Sequence, residues 1–228
     1  MERSLSFTTL FFYRTTILLL LLLLFPVLVQ ADESVYEHQI QQARNGNYAL
    51  FLDYLQRYEH QHALTPGQVA DWLQVASWAG RDDEVIRVWQ RYGIYMPLPA
   101  RAIAAVAQSR RNQKAWPSAL SLWKEALSLA PDNDDYRIGY VKTLADARRD
   151  RLALSEARQL VKDNPSPAHL ETLSYVWMRQ GNNGDRLLAD MRALNAAPGN
   201  NALLRETIDA LTDNRVSTPA LWLSQSAA

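Results

Sequence analysis

From Tyr36 onward, apolar residues recur at helical spacing, and no stretch sustains period-two alternation of strand-forming residues. The pattern predicts paired helices separated by short polar, Gly or Pro breaks. Gln68–Gly80 reads as one helix, closed by Gly80 as a C-cap. Asp82–Tyr92 reads as its partner, opened by acidic residues that suit a helix N-terminus. Upstream, a pair hinges at Asn45–Asn47, with Phe51 and Leu55 on the inward face. Further along, Tyr140, Leu144, Ala153, Ala157 and Leu160 mark one pair, and Leu173, Val176, Trp177, Leu187, Met191 and Leu194 mark the next.

A ruler underlies these pairs. Pro97, Pro131 and Pro165 stand 34 residues apart, and Pro198 follows 33 later. Trp89 and Trp123 keep the same step, as do Val85, Ala119 and Ala153. A period of 34 is that of the tetratricopeptide repeat, a helix–turn–helix unit. The best unit places Val106 and Ala107 in its first helix and Ala119, Trp123 and Ala126 in its second. The small residues let helices approach, and the Trp fills the gap between pairs. Pro117 suits a first helical turn, and Pro131 stops the helix. The expected fold is all-α, an α-solenoid of tetratricopeptide-type helix pairs that bury their apolar faces by stacking. Its units run over 34–65, 66–99, 100–133, 134–167 and 168–201, with a partial unit over 202–211. Residues 212–228 are expected to form an irregular or capping tail.

Residues 1–31 follow another plan. Arg3 and Arg14 precede an unbroken apolar run, Ile17 to Phe25, and Val29-Gln30-Ala31 offers small residues for cleavage. That is the layout of a secretory signal peptide, with cleavage expected before Asp32. The alternative, an uncleaved anchor, fits less well. Ile17 to Val29 is 13 residues, short of the ~20 needed to span a bilayer.

Composition narrows the function. The 228 residues carry 24 basic and 24 acidic side chains, 48% hydrophobic residues and no Cys. Losing Arg3, Arg14 and Glu2 with the signal leaves 22 basic and 23 acidic residues. Balanced charge removes the basic footprint that nucleic acid asks for. Without Cys there is no disulfide, thiol nucleophile or lipid-modified N-terminal Cys. An exported chain of this kind suits a bacterial periplasm, held together by packing.

No catalytic constellation, cofactor motif or metal set stands out. His38, His60, His62 and His169 lack ligand spacing, and no phosphate-loop, dinucleotide or nucleophile-elbow motif occurs. Asp82-Asp83-Glu84 and Asp134-Asp135 fall at helix starts, where capping explains them. The functional surface is therefore expected to be the groove lined by the first helix of each pair: Gln74, Ser77, Arg101, Gln108, Arg111, Lys142, His169 and Arg179. This set is polar and mildly basic.

Several strings go beyond the repeat consensus: "QVADWLQVASWAGRDDEVIRVWQRY" (Gln68–Tyr92), "LPARAIAAVA" (Leu98–Ala107), "SLWKEALSLAPDNDDY" (Ser121–Tyr136) and "TLADA" (Thr143–Ala147). Through them the region from Tyr36 to Gly199 resembles the N-terminal part of the poly-β-1,6-N-acetyl-D-glucosamine export porins of Gram-negative biofilm formers. The resemblance implies a periplasmic scaffold associated with the outer membrane. Its implied partners are a periplasmic polysaccharide deacetylase, the poly-N-acetylglucosamine polymer and an outer-membrane barrel. The chain shows no series of alternating ~10-residue strands, so it is expected to lack that barrel and to be a truncated member or a separate periplasmic piece. The other reading, resting on fold alone, is a generic periplasmic protein–protein adaptor.

Overall fold

The computed structural model describes residues 35–213. The expected signal segment, residues 1–31, and residues 214–228 of the expected tail lie outside the described residues. The chain divides into two compact units, one ending at Leu64 and the other beginning at Thr65.

In the first unit, α1 (35–44) and α2 (Tyr48–Tyr58) meet through a turn at 45–46, where Gly46 takes φ +94°. Ile40 and Ala43 of α1 and Phe51, Leu52 and Leu55 of α2 are buried. The Tyr36 ring packs edge-on to Phe51 at 5.8 Å. A file of rings then runs along α2, with Tyr54 to Tyr58 at 5.6 Å and Tyr58 to His62 at 4.5 Å.

The second unit holds α3 (Pro66–Trp78), α4 (Asp82–Val88), α5 (Ala100–Asn112), α6 (Trp116–Leu129), α7 (Asp134–Asp146), α8 (Asp150–Asp163), α9 (Pro167–Gln180), α10 (Asn183–Ala196) and α11 (Asn201–Asp213). Among the described residues there is no strand, and no helix is long and apolar enough to cross a membrane. Each of α3, α5, α7 and α9 packs on the helix that follows it, and α5 and α7 each also pack on the preceding pair. The unit is thus an α-solenoid of helix pairs.

Local chemistry sets the register. The residues just before α3, α5, α7, α9 and α11 are Thr65, Pro99, Asn133, Ser166 and Asn200, spaced 34, 34, 33 and 34. Thr65, Asn133, Ser166 and Asn200 accept backbone N–H bonds from the first turn, and Thr65 forms a capping box with Gln68. Between the two helices of each pair lies one left-handed residue: Gly80 (φ +67°), Lys114 (+61°), Arg148 (+56°) and Gly181 (+74°). These hinges keep the same step of 34, 34 and 33.

The core lies between helices and uses small residues heavily. On α5 the whole run Ala102 to Ala107 is buried, because neighbouring helices contact this helix on several sides. Leu73, Val75, Val85 and Val106 are fully covered, each worth about 1.5–3 kcal/mol in removed apolar surface. Trp123 sits on Gly139 of α7 so closely that a Cβ there would fall 2.5 Å from the ring. Its indole N–H donates to Thr143 Oγ1 at 3.0 Å.

Two elements depart from the sequence expectation. Asp82–Tyr92 is not one α-helix, because α4 passes into a π-helical turn at Trp89–Gly93. Trp89 is correspondingly half-buried, its ring resting on Gly93 of its own turn. The last helix, expected over 202–211, runs on to Asp213.

Candidate functional site

The inner-face candidates lie on α3, α5, α7 and α9, all in the second unit. Gln74 and Ser77 are half-buried on α3, next to the exposed Trp78. Arg101 donates from Nη2 to Asp71 Oδ1 at 3.0 Å, joining α5 to α3. Gln108 donates to Asn112 of its own helix at 2.9 Å.

Three of the expected residues converge. Arg111 donates from Nε to Asp146 Oδ2 at 2.7 Å and from Nη2 to the Tyr175 hydroxyl at 3.0 Å. Tyr175 in turn donates to Asp146 Oδ1 at 2.6 Å. Arg179 Nε lies 3.2 Å from the same oxygen, close enough for an ion pair although its N–H is not aimed there. Lys142 Nζ stands 5.7 Å from the Tyr175 ring centroid, and the Arg111 guanidinium 5.6 Å from it. One tyrosine and one aspartate therefore gather cations from α5, α7 and α9.

The electrostatics of this cluster follow from burial. Burial first, and the Arg111 charge second, hold the Lys142 ammonium below its ordinary value, while Glu171, Glu206 and Asp146 oppose the shift. Glu171 is raised by burial and by repulsion from Glu206. Tyr175 is raised by burial and by the hydrogen bond that it donates to Asp146. Spacing alone makes this face look mildly basic. In the fold, Asp71, Asp146 and Glu171 stand against Arg101, Arg111, Arg179 and Lys142, so the face mixes both signs.

His169 does not line the groove. It is 1% exposed, with Nδ1 2.6 Å from the Asn164 carbonyl and Nε2 3.3 Å from Asp134 Oδ2. Its place in the first turn of α9 turns the ring toward α7 and the preceding loop rather than toward a ligand. The expectation for this residue is corrected accordingly.

Asp71, Asp146, Glu171 and Tyr175 escaped the sequence reading. A signal for such partners exists at a step of about one repeat less a turn. Arg101 reaches Asp71, Asn112 reaches Asp82 and Gln113 reaches Asp83, each 30 residues back. Asp82 and Asp83 thus tie neighbouring pairs together as well as opening α4.

The face can hydrogen-bond and stack against a polar ligand. Among the described residues no group of three or more His, Asp or Glu is placed to hold a metal ion. Asp190, buried on α10, accepts a short hydrogen bond from Ser174 and lies 3.5 Å from Arg186 Nε. It is closed off from solvent and is part of the packing between α9 and α10.

No family model matches the chain. In fold, it is similar to a thermophilic tetratricopeptide-repeat protein of Thermus thermophilus, with a TM-score of 0.59 at 15% identity over 79% of this chain and 98% of that one. A tetratricopeptide-repeat protein of Parabacteroides merdae gives a TM-score of 0.60 at 11% identity over 84% of this chain and 78% of that one. In sequence, the chain is 38% identical over 192 residues to the poly-β-1,6-N-acetyl-D-glucosamine export protein of Escherichia coli, in strain K12 and in O157:H7. That match takes in 84% of this chain but only 23% of the relative's length. The chain therefore has the tetratricopeptide-repeat solenoid fold and is similar, along most of its length, to a part of that export protein.

Proposed function

We propose that this chain is a non-catalytic scaffold in the export of poly-β-1,6-N-acetyl-D-glucosamine, working in the periplasm at the outer membrane during biofilm formation. The observation that carries the reading is the 38% identity over 192 residues. The ligands of the inner face are the polysaccharide, the deacetylase that modifies it, or both in turn. The groove's chemistry supports a neutral or weakly charged, hydroxyl-rich ligand, because its cations stand beside carboxylates. The half-buried Tyr175 ring and the side chains of Gln74, Ser77 and Gln108 supply stacking and hydrogen bonds.

The structure also decides how to test the groove. Reversing the charge of Arg111 would set a carboxylate against Asp146 and disturb the packing itself. Gln74, Ser77 and Gln108 are the better probes, since none ties two helices together in the hydrogen bonds described. Co-purification of the chain with the deacetylase, and retention on immobilised polymer, are the measurements. The reading expects at least one to occur and Gln74→Ala with Gln108→Ala to weaken it. Failure of both interactions at millimolar ligand would sink it.

A further inference from the structure

Among the described residues, Trp78 is the one tryptophan that stands open to solvent. It is 48% exposed, whereas Trp72 and Trp123 are buried and donate their indole N–H to Glu84 Oε1 and Thr143 Oγ1. Trp89, Trp116 and Trp177 are half-buried. A covered Trp removes roughly 150–250 Å² from water, so an indole left half open forgoes a large contribution to folding. Its place on α3 says what surrounds it. Asp71, Gln74 and Trp78 follow at steps of three and four, so they share one helix face. That face is turned away from Val69, Leu73 and Ala76, which are buried.

The repeat carries the same face along the second unit. At steps of 34, 34 and 33, Trp78 corresponds to Asn112, Asp146 and Arg179, and Gln74 corresponds to Gln108, Lys142 and Tyr175. Asp146, Arg179, Lys142 and Tyr175 are the converging groups of α7 and α9, so Trp78 belongs to the inner face at its α3 end. At the α9 end the aromatic ring is half-buried and has Arg111 and Lys142 against it. At the α3 end the indole is open, with the Gln74 carboxamide one helical turn away. An open indole beside an amide suits a ligand ring that is apolar on its faces and polar on its rim. A β-linked glucosamine unit is such a ring, because its equatorial substituents leave only C–H bonds on each face. We propose that Trp78 is a stacking platform for one sugar unit of the β-1,6-linked polymer, with Gln74 hydrogen-bonding the rim of that sugar. This inference rests on the export reading above and adds to it the residue that orients the polymer at the α3 end of the groove.

The test titrates the intact chain with a β-1,6-linked N-acetylglucosamine oligosaccharide and follows the tryptophan indole N–H resonances. The Trp78 signal is identified by its loss in Trp78→Phe. The proposal expects a saturable shift of that signal, while the buried Trp123 stays in place. Trp78→Ala should weaken the oligosaccharide about three- to ten-fold, the effect of losing one ring contact. Trp78→Phe keeps a ring and should weaken it less. The shift is read on the unsubstituted chain, so it decides the matter even where the alanine variant folds poorly. Sorbitol, rich in hydroxyls but without a ring face, should leave the signal unmoved. Binding that leaves Trp78 still, or that survives Trp78→Ala undiminished, would overturn this assignment and leave the export reading standing. So would a shift produced by the deacetylase and not by the oligosaccharide, or an equal shift with sorbitol. Absence of binding to both the oligosaccharide and the deacetylase would overturn the two together.

Discussion

Gly139 marks a point where a single atom decides the packing. A glycine within a helix costs about 1 kcal/mol relative to alanine, so its presence in α7 needs a reason. Trp123 supplies it, because the indole rests where the Cβ would be. Gly139→Ala should therefore destabilise the protein by about 1–3 kcal/mol despite better helix propensity, measured by urea unfolding. An unchanged or raised midpoint would contradict the packing. Asp190 makes a second case. Burial, chiefly, raises its carboxyl above the ordinary 3.8, against the pull of Ser174 and Arg186. Between that value and the raised one, the folded state holds more protons than the unfolded state, so stability falls as pH rises through the window. Asp190→Asn should look best relative to the parent at neutral pH and lose ground as the pH falls toward 3.8. Thermal melts across that range would check the sign. Neither site is legible from spacing: Trp123 keeps the repeat step as a residue that fills the gap between pairs, but its glycine partner and the burial of Asp190 depend on the neighbouring helix. His169 failed for the same reason, since its face depends on how α9 begins.

Helix pairs carry a stricter rule than the prolines that reveal them. Each hinge in the second unit needs one left-handed residue, and two of the four are not glycine. That conformation costs a side-chain-bearing residue roughly 1–2 kcal/mol. Lys114→Gly should therefore raise stability by up to about 1 kcal/mol, after the extra entropy of glycine in the unfolded chain. Arg148→Gly should gain less, because it forfeits the 2.6 Å hydrogen bond from Arg148 to the Arg179 carbonyl. Thermal denaturation of the two variants tests the ranking, and a loss of stability in Lys114→Gly would contradict it. The sequence reveals these pairs well through Pro97, Pro131 and Pro165 and through Gly80. It hides the hinges at Lys114 and Arg148, since neither residue type advertises left-handed backbone. It also hides the π-turn at Trp89–Gly93, where the apolar pattern stays helical while the hydrogen-bond step changes.

Across the second unit, polar ties link successive pairs alongside the apolar contacts. Asp146 is the busiest, receiving Arg111 and Tyr175 and facing Arg179. Asp146→Ala leaves two guanidinium groups close together without their carboxylate, and should cost about 1–3 kcal/mol. Recovery of part of that loss by a second change, Arg111→Met, would identify the uncompensated charge as the cause. Solenoid architecture and the helices that bear the groove were readable because they follow from periodicity. The balance of charge within the groove was not, because it depends on partners about 30 residues away.

The claim that joins these scales is that the inner face serves a β-1,6-linked amino-sugar polymer or its processing enzyme. The most direct measurement titrates the intact chain with β-1,6-linked N-acetylglucosamine oligosaccharides, with β-1,4-linked oligosaccharides of equal length as the control, in the presence and absence of the deacetylase. The account predicts saturable binding of the β-1,6 series, directly or through the enzyme, with perturbations at Gln74, Gln108 and Tyr175. Equal binding of both linkages, or binding of neither under both conditions, would contradict it.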